Sequence, residues 1–174
     1  FEGWNNLRTC NNLLITSNVK TFENYFKDCI NLTSITFNEL SDFSNLVNMA
    51  YAFNNCSKLS SIPINVPDKV TNISYLFSGC SSLTDISGMV FGSGITNATS
   101  WIPPNLTTAN NLTVKCSHPL FKGNTTLISI DNFTISSNIT DISSWFEGCT
   151  NLSEDFYIPS HVVDCSNAFK DCIN

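Results

Sequence analysis

Residues 70–87 read VTNISYLFSGCSSLTDIS, and the setting of Cys80 within them decides how the whole chain is read. The motif F-x-x-C-x-x-L at its centre (77–83) returns as FKDCINL (26–32), FNNCSKL (53–59), FKGNTTL (121–127) and FEGCTNL (146–152). Partial copies stand at FEGWNNL (1–7) and FKDCIN (169–174). Apolar residues precede Phe26, Phe53, Phe77, Phe146 and Phe169 by seven and four positions, as Val70 and Ile73 do, and Ile35, Ile62, Ile86 or Ile130 follows three positions after the Leu. One copy is disguised: ITNATSWI (95–102) aligns with VTNISYLF (70–77), which puts Ile102 in the Phe place. There Pro103-Pro104 replaces the step that carries Gly and Cys elsewhere. The Phe places are thus 1, 26, 53, 77, 102, 121, 146 and 169, a mean spacing of about 24 residues.

The two halves of the unit carry different periods. Val70, Ile73, Phe77 and Cys80 are spaced by three, four and three, which predicts one face of a short helix with Thr71 or Asn72 as cap and Gly79 as exit. In LTSITF (32–37), Ile35 and Phe37 alternate with Ser34 and Thr36, which predicts a strand. Turns such as NVPDK (65–69) and GSG (92–94) lead to the next copy. A single unit of this size buries too little apolar surface to offset its ordering entropy, so the copies must stack. The expected fold is an α/β solenoid of about seven repeats, each a short strand plus a short helix, as one domain over 1–174 that is irregular at 88–121.

Eight Lys plus Arg against fourteen Asp plus Glu give a net charge of -6, and only 13% of residues are charged. No basic patch exists, which argues against nucleic acid as a partner. A surface of Asn, Ser and Thr suits a secreted or surface-displayed protein. No apolar run approaches the ~18 residues of a membrane span, so direct insertion by this segment is not expected. The chain opens at FEGW inside one copy and closes inside another. The expectation is an excerpt of a longer array, with neighbouring repeats or domains at both ends.

Eight cysteines invite a zinc or disulfide reading. Cys29, Cys56, Cys80, Cys149 and Cys172 occupy one repeat position, however, without the close pairs that chelate zinc, and Trp4 and Asn124 fill that position elsewhere. Cys10 stands where Ile35 and Ile86 stand, Cys165 where Ile73 and Ile142 stand, and Cys116 falls off the pattern. The column therefore reads as free thiols acting as small buried hydrophobes.

VTNISYLFSGCSSLTDIS and DNFTISSNITDISSWFEGCTNL (131–152) resemble the leucine-rich repeats of BspA-like bacterial surface proteins, a type common in mycoplasma lipoproteins and Gram-positive surface proteins. The resemblance covers almost the whole chain apart from the departure at 88–121. It implies a leucine-rich-repeat solenoid with a parallel sheet on one side, displayed extracellularly on a cell or virion surface. It also implies adhesion to a host or microbial surface protein or glycan, with no catalytic residue and no cofactor.

Other candidate sites are few. His118 and His161 are far apart in sequence and neither accompanies a recurrent nucleophile, so an enzyme is not expected. Asp85, Asp131, Glu154 and Asp155 lie on or near strand segments without a dense D-x-D-x-D pattern, which reads as a solvated acidic face rather than a calcium site. Ten N-x-S/T sequons begin at Asn31, Asn55, Asn72, Asn97, Asn105, Asn111, Asn124, Asn132, Asn138 and Asn151. Several are generated by the repeat itself, so their side chains are expected to bond turn backbone rather than carry glycans. Candidate ligand-binding residues are Ser34, Thr36, Ser61, Asp85, Ser87, Ser129 and Asp131 on the strand face, with Trp101, Lys115 and His118 from the irregular segment. Trp101 either exposes its ring as an anchor or plugs the gap left by the irregular repeat.

Overall fold

The structure, a computed structural model, describes residues 1–61, 64–153 and 156–173. Five short strands follow in chain order: β1 (Thr9–Leu13), β2 (Ser34–Phe37), β3 (Val90–Phe91), β4 (Thr113–Val114) and β5 (Thr134–Ile135). β1 and β2 pair in parallel with Cys10 opposite Ile35, the register that the repeat alignment requires. β3, β4 and β5 form a second parallel sheet, with Phe91, Val114 and Ile135 in line. Elsewhere successive coils meet through single parallel bridges: Thr21, Asn48, Asn72 and Asn97 along one line, Asp141 with Asp164, and Asp85, Thr108 and Ser129 along another. Each pairing joins residues about one repeat apart, so the chain winds as a stack of coils.

The expected helix in each repeat is not there: among the described residues no helix forms. Val70, Ile73, Phe77 and Cys80 all point inward and are fully buried, as a helical face would be. They arrive there by consecutive turns. Tyr75 and Gly79 have φ of 56° and 79°, in the left-handed region that no right-handed helix contains. The N–H groups of Leu76, Ser78 and Cys80 close turns onto the carbonyls of Ile73, Tyr75 and Phe77. Those of Ile73, Tyr75 and Phe77 instead donate to Asn97, Thr99 and Trp101 of the next coil at 2.8–3.0 Å. A helix would spend these bonds within its own segment and leave nothing to hold the neighbour. Asn72 is a cap, its Oδ1 accepting Ser74 N–H at 2.9 Å, but it caps a turn.

Left-handed residues stand two before and two after the Phe place in almost every coil. Before it come Asn24, Tyr51, Tyr75, Ser100, Ser144 and Asn167; after it come Gly3, Asp28, Asn55, Gly79, Gly123, Gly148 and Asp171. The two places missing from these columns are Pro104 and Pro119. Proline holds φ near −65° and cannot supply such a turn. At Pro104 the chain cuts short to Leu106, whose N–H bonds Pro103 O at 3.3 Å. The irregularity at 88–121 thus has a local cause in two prolines.

The core is one cluster running the length of the stack. Phe1, Phe26, Phe53 and Phe77 stack with centroids 5.2–5.7 Å apart, and Phe121, Phe146 and Phe169 do so at 5.4–5.6 Å. Leu59, Ile86 and Ile130 are buried beside them, while Ile62 lies outside the described residues. Cys116 is buried because Leu112, Val114 and Cys116 alternate inward along and beyond β4. Cys165, expected in the core, is exposed: it belongs to the last coil of the described residues, which none of the others covers. Trp4, on the first coil, is likewise exposed rather than filling the cysteine column from within.

Candidate functional site

All eight cysteines are free thiols. The ladder thiols are more than packing. Sγ of Cys29, Cys56, Cys80, Cys149 and Cys172 donates to the carbonyl of Phe1, Phe26, Phe53, Phe121 and Phe146 respectively, one coil back, at 3.0–3.1 Å. Burial pushes the Cys80 and Cys149 thiols up to about 12, and Cys56 well above the usual thiol range. Thiols held neutral in this way are neither nucleophiles nor metal ligands. Among the described residues no group of three or more His, Cys, Asp and Glu side chains is placed to hold a metal ion.

The strand face brings most of the candidate ligand-binding residues into two columns. Ser34, Ser61, Asp85 and Ser129 lie two residues past the repeat leucine; Thr36, Ser87 and Asp131 lie four past it. The inward Ile between each pair anchors them, as the alternation of a strand dictates. Asp85, Ser87, Ser129 and Asp131 join one chain of hydrogen bonds across three coils. Asp85 Oδ1 accepts from Ser87 N–H and Oγ–H at 2.7 and 2.5 Å, and Ser87 Oγ accepts Asn110 N–H at 3.1 Å. Asn110 Oδ1 accepts from Ser129 Oγ–H and Asp131 N–H, both at 2.7 Å. Ser61, Asp85 and Ser87 also wall a hollow of about 230 Å³ floored by Leu83, Ile86 and Met89. Farther along, Thr36 Oγ1 accepts Asn12 N–H at 2.9 Å, and Ser34 sits in β2. Glu154 and Asp155 lie outside the described residues.

Trp101, Lys115 and His118 do not join this face. Trp101 is 1% exposed and fills the gap in the irregular coil, edge-on to Phe77, Phe91 and Phe121. Its Nε1–H donates to Leu120 O at 2.7 Å. In regular coils the equivalent carbonyl accepts a backbone N–H, as Ala52 O does from Phe26. An indole thus replaces the backbone donor, and an exposed-ring role for Trp101 is overturned. Lys115 follows β4 and pairs with Asp68 at 3.3 Å, two coils back. His118 is half-buried, which holds its imidazole below the ordinary histidine range.

Sequence reasoning missed Thr108 and Asn110, which continue the polar columns through the irregular segment, and also an outward aromatic pair. Tyr51 and Tyr75 stack with centroids 4.7 Å apart and planes 7° apart, and Lys27 Nζ lies 5.7 Å from the Tyr51 centroid. Both tyrosines are in the left-handed column that Asn24 and Asn167 also occupy, a signal legible only once that column is known. Six of the ten sequon asparagines bond backbone, as expected of turn residues, while Asn55 and Asn132 donate to the carboxylates of Asp28 and Asp131. Asn31, Asn105 and Asn151 donate to Asn5 O, Ser81 O and Thr125 O one coil back at 2.7–2.8 Å. Asn97 and Asn124 accept turn N–H groups, as Asn72 does.

Comparison with known proteins places the repeat in a family. The family model for the BspA type leucine rich repeat region matches residues 2–102 and 50–174, with six copies against the seven or so that the Phe spacing suggests. Among solved structures, the crystal structure of the T. pallidum leucine rich repeat protein aligns at 20% identity with a TM-score of 0.47. That alignment covers 96% of this chain and 59% of the other. No curated protein sequence matches the chain. Among the described residues no helix is long and apolar enough to cross a membrane. With the repeat motif, the parallel stacking and the family match all running the length of the chain, it belongs to the BspA-type leucine-rich-repeat family.

Proposed function

We propose that this chain is a non-catalytic, extracellular binding or adhesion module of a cell or virion surface, recognising a protein or glycan of a host or microbial surface. The observation that carries the reading is the hydrogen-bonded chain Asp85, Ser87, Asn110, Ser129 and Asp131 on the strand face. Its members are held in place by the inward residues between them and by each other, so a partner meets an ordered polar surface at little entropy cost. The five ladder thiols are committed to carbonyls and Lys115 to Asp68. A second reading, a spacer without a ligand of its own, draws on the outward threonines Thr71, Thr96 and Thr140, which share a column with Lys20, Val47 and Val163.

The test is a glycan and extracellular-matrix array probed with the purified chain, followed by the pair Asp85→Lys and Asp131→Lys. Saturable binding that weakens about tenfold or more in the double variant, a loss of ~1.4 kcal/mol, supports the module. The melting temperature should fall only modestly, since Asp85→Lys removes the Oδ1 that caps Ser87 N–H, a loss of about 0.5–2 kcal/mol. A blank array overturns the reading in favour of the spacer.

A further inference from the structure

We infer that the outer face of the Tyr75 ring is a stacking site for a neutral, β-linked pyranose. The inference rests on the binding-module reading and names a ligand class and a second place for it, on the turn face rather than the strand face. Tyr75 is half-buried, with one ring face covered by Tyr51 at 4.7 Å and 7°. Coils repeat at about strand spacing, so the column two residues before the Phe place sets side chains directly above one another. Along the axis that column reads Asn24, Tyr51, Tyr75 and Ser100. Ser100 is exposed, and its single-carbon side chain cannot cover the ring below it. The column is therefore a ring stack with its next place empty.

One further observation favours a ligand there. A bulky residue at φ 56° is unusual and costs backbone energy, whereas the same column uses Asn or Ser in other coils. Two adjacent tyrosines in such places supply an aromatic surface that the fold itself does not need. A pyranose with equatorial hydroxyls presents axial C–H groups to an aromatic face and its hydroxyls to the rim, where Ser100 and Thr99 stand exposed. The net charge of -6 disfavours sulfated or otherwise anionic glycans.

The experiment titrates the intact chain, labelled on tyrosine rings, with cellopentaose and chitopentaose, and with a heparin oligosaccharide as the anionic control. The expected result is a saturable shift of the Tyr75 ring signals with a neutral oligosaccharide. Tyr157, 81% exposed and outside the stack, should stay still. Tyr75→Asn should weaken binding about tenfold without lowering the melting temperature, since Asn24 and Asn167 adopt the same conformation in that column. Tyr75→Phe should keep most of the affinity. Unmoved Tyr75 signals with both neutral sugars, equal shifts at Tyr157, preference for heparin, or wild-type affinity in Tyr75→Asn would each overturn the inference. The Asp85→Lys and Asp131→Lys pair separates the two sites: array binding lost there and kept in Tyr75→Asn sinks only the sugar site.

Discussion

Phe53 O accepts two donors, the Cys56 N–H of its own turn at 3.1 Å and Cys80 Sγ of the next coil at 3.0 Å. This explains why the column prefers Cys: the side chain is small and tolerates burial, yet it can donate. The thiol also ties stability to pH. Below pH 9.0, the ordinary thiol value, folded and unfolded chains both hold these protons and the contribution is complete. Above it the unfolded chain ionises while Cys80 and Cys149 stay protonated to about 12, so folding binds more protons. Stability then falls as pH rises, by about 1.4 kcal/mol per unit for each such thiol. Urea unfolding on either side of pH 9 checks this, and Cys80→Ala should flatten the fall. In native alkylation Cys165 should react at once and the buried ladder thiols only as the chain opens.

The turn ladder is the element on which the fold depends, and its weak points are the left-handed places. Asn55 has φ 60° and sends Nδ2–H to Asp28 Oδ1 one coil back at 2.8 Å. Asn55→Ala should cost about 1–2 kcal/mol and Asn55→Gly distinctly less, because only the first meets the Cβ penalty of that conformation. Chemical denaturation of the two variants against wild type measures the difference. In the irregular coil, Trp101→Phe keeps the apolar plug but leaves Leu120 O without its indole donor, which should cost about 1–3 kcal/mol. Trp101→Ala should cost about 3–5 kcal/mol. A Trp101→Ala protein with an unchanged melting temperature would contradict the buried placement.

At the scale of the molecule, each coil is held by hydrogen bonds to the coils on either side, and for residues 1–174 taken alone the first and last described coils have such bonds on one side. The inward columns follow this pattern: Phe1 and Trp4 are 38% and 58% exposed and Cys165 is exposed, while Phe26, Phe53, Phe77 and Phe146 are fully buried. Stability in such a stack is a sum of nearest-neighbour terms, so opening should begin at the ends. Hydrogen exchange followed by mass spectrometry should find the slowest amides in the stretches 46–56 and 70–83. Faster exchange is expected in 1–8 and 156–173. Uniform protection along the chain would mean that the coils unfold as a single cooperative unit.

The sequence by itself determined which residues face inward. The columns of Phe26, Phe53 and Phe77, of Leu59 and Leu83, and of Cys56 and Cys80 recur in register, and a side chain that must avoid water in every copy has only one side to occupy. It also determined where the array falters, at Pro103-Pro104. Tertiary structure decided the path between those inward residues. A helix and a run of turns both place Val70, Ile73, Phe77 and Cys80 on one face, so spacing cannot separate them. The deciding term is the bond from Tyr75 N–H to Thr99 O, which exists only when the next coil is present. Trp101 was open in sequence for the same reason. Its ring turns inward because two prolines shorten the surrounding coil and leave both a gap and the Leu120 carbonyl to fill, and neither exists until the coils are stacked.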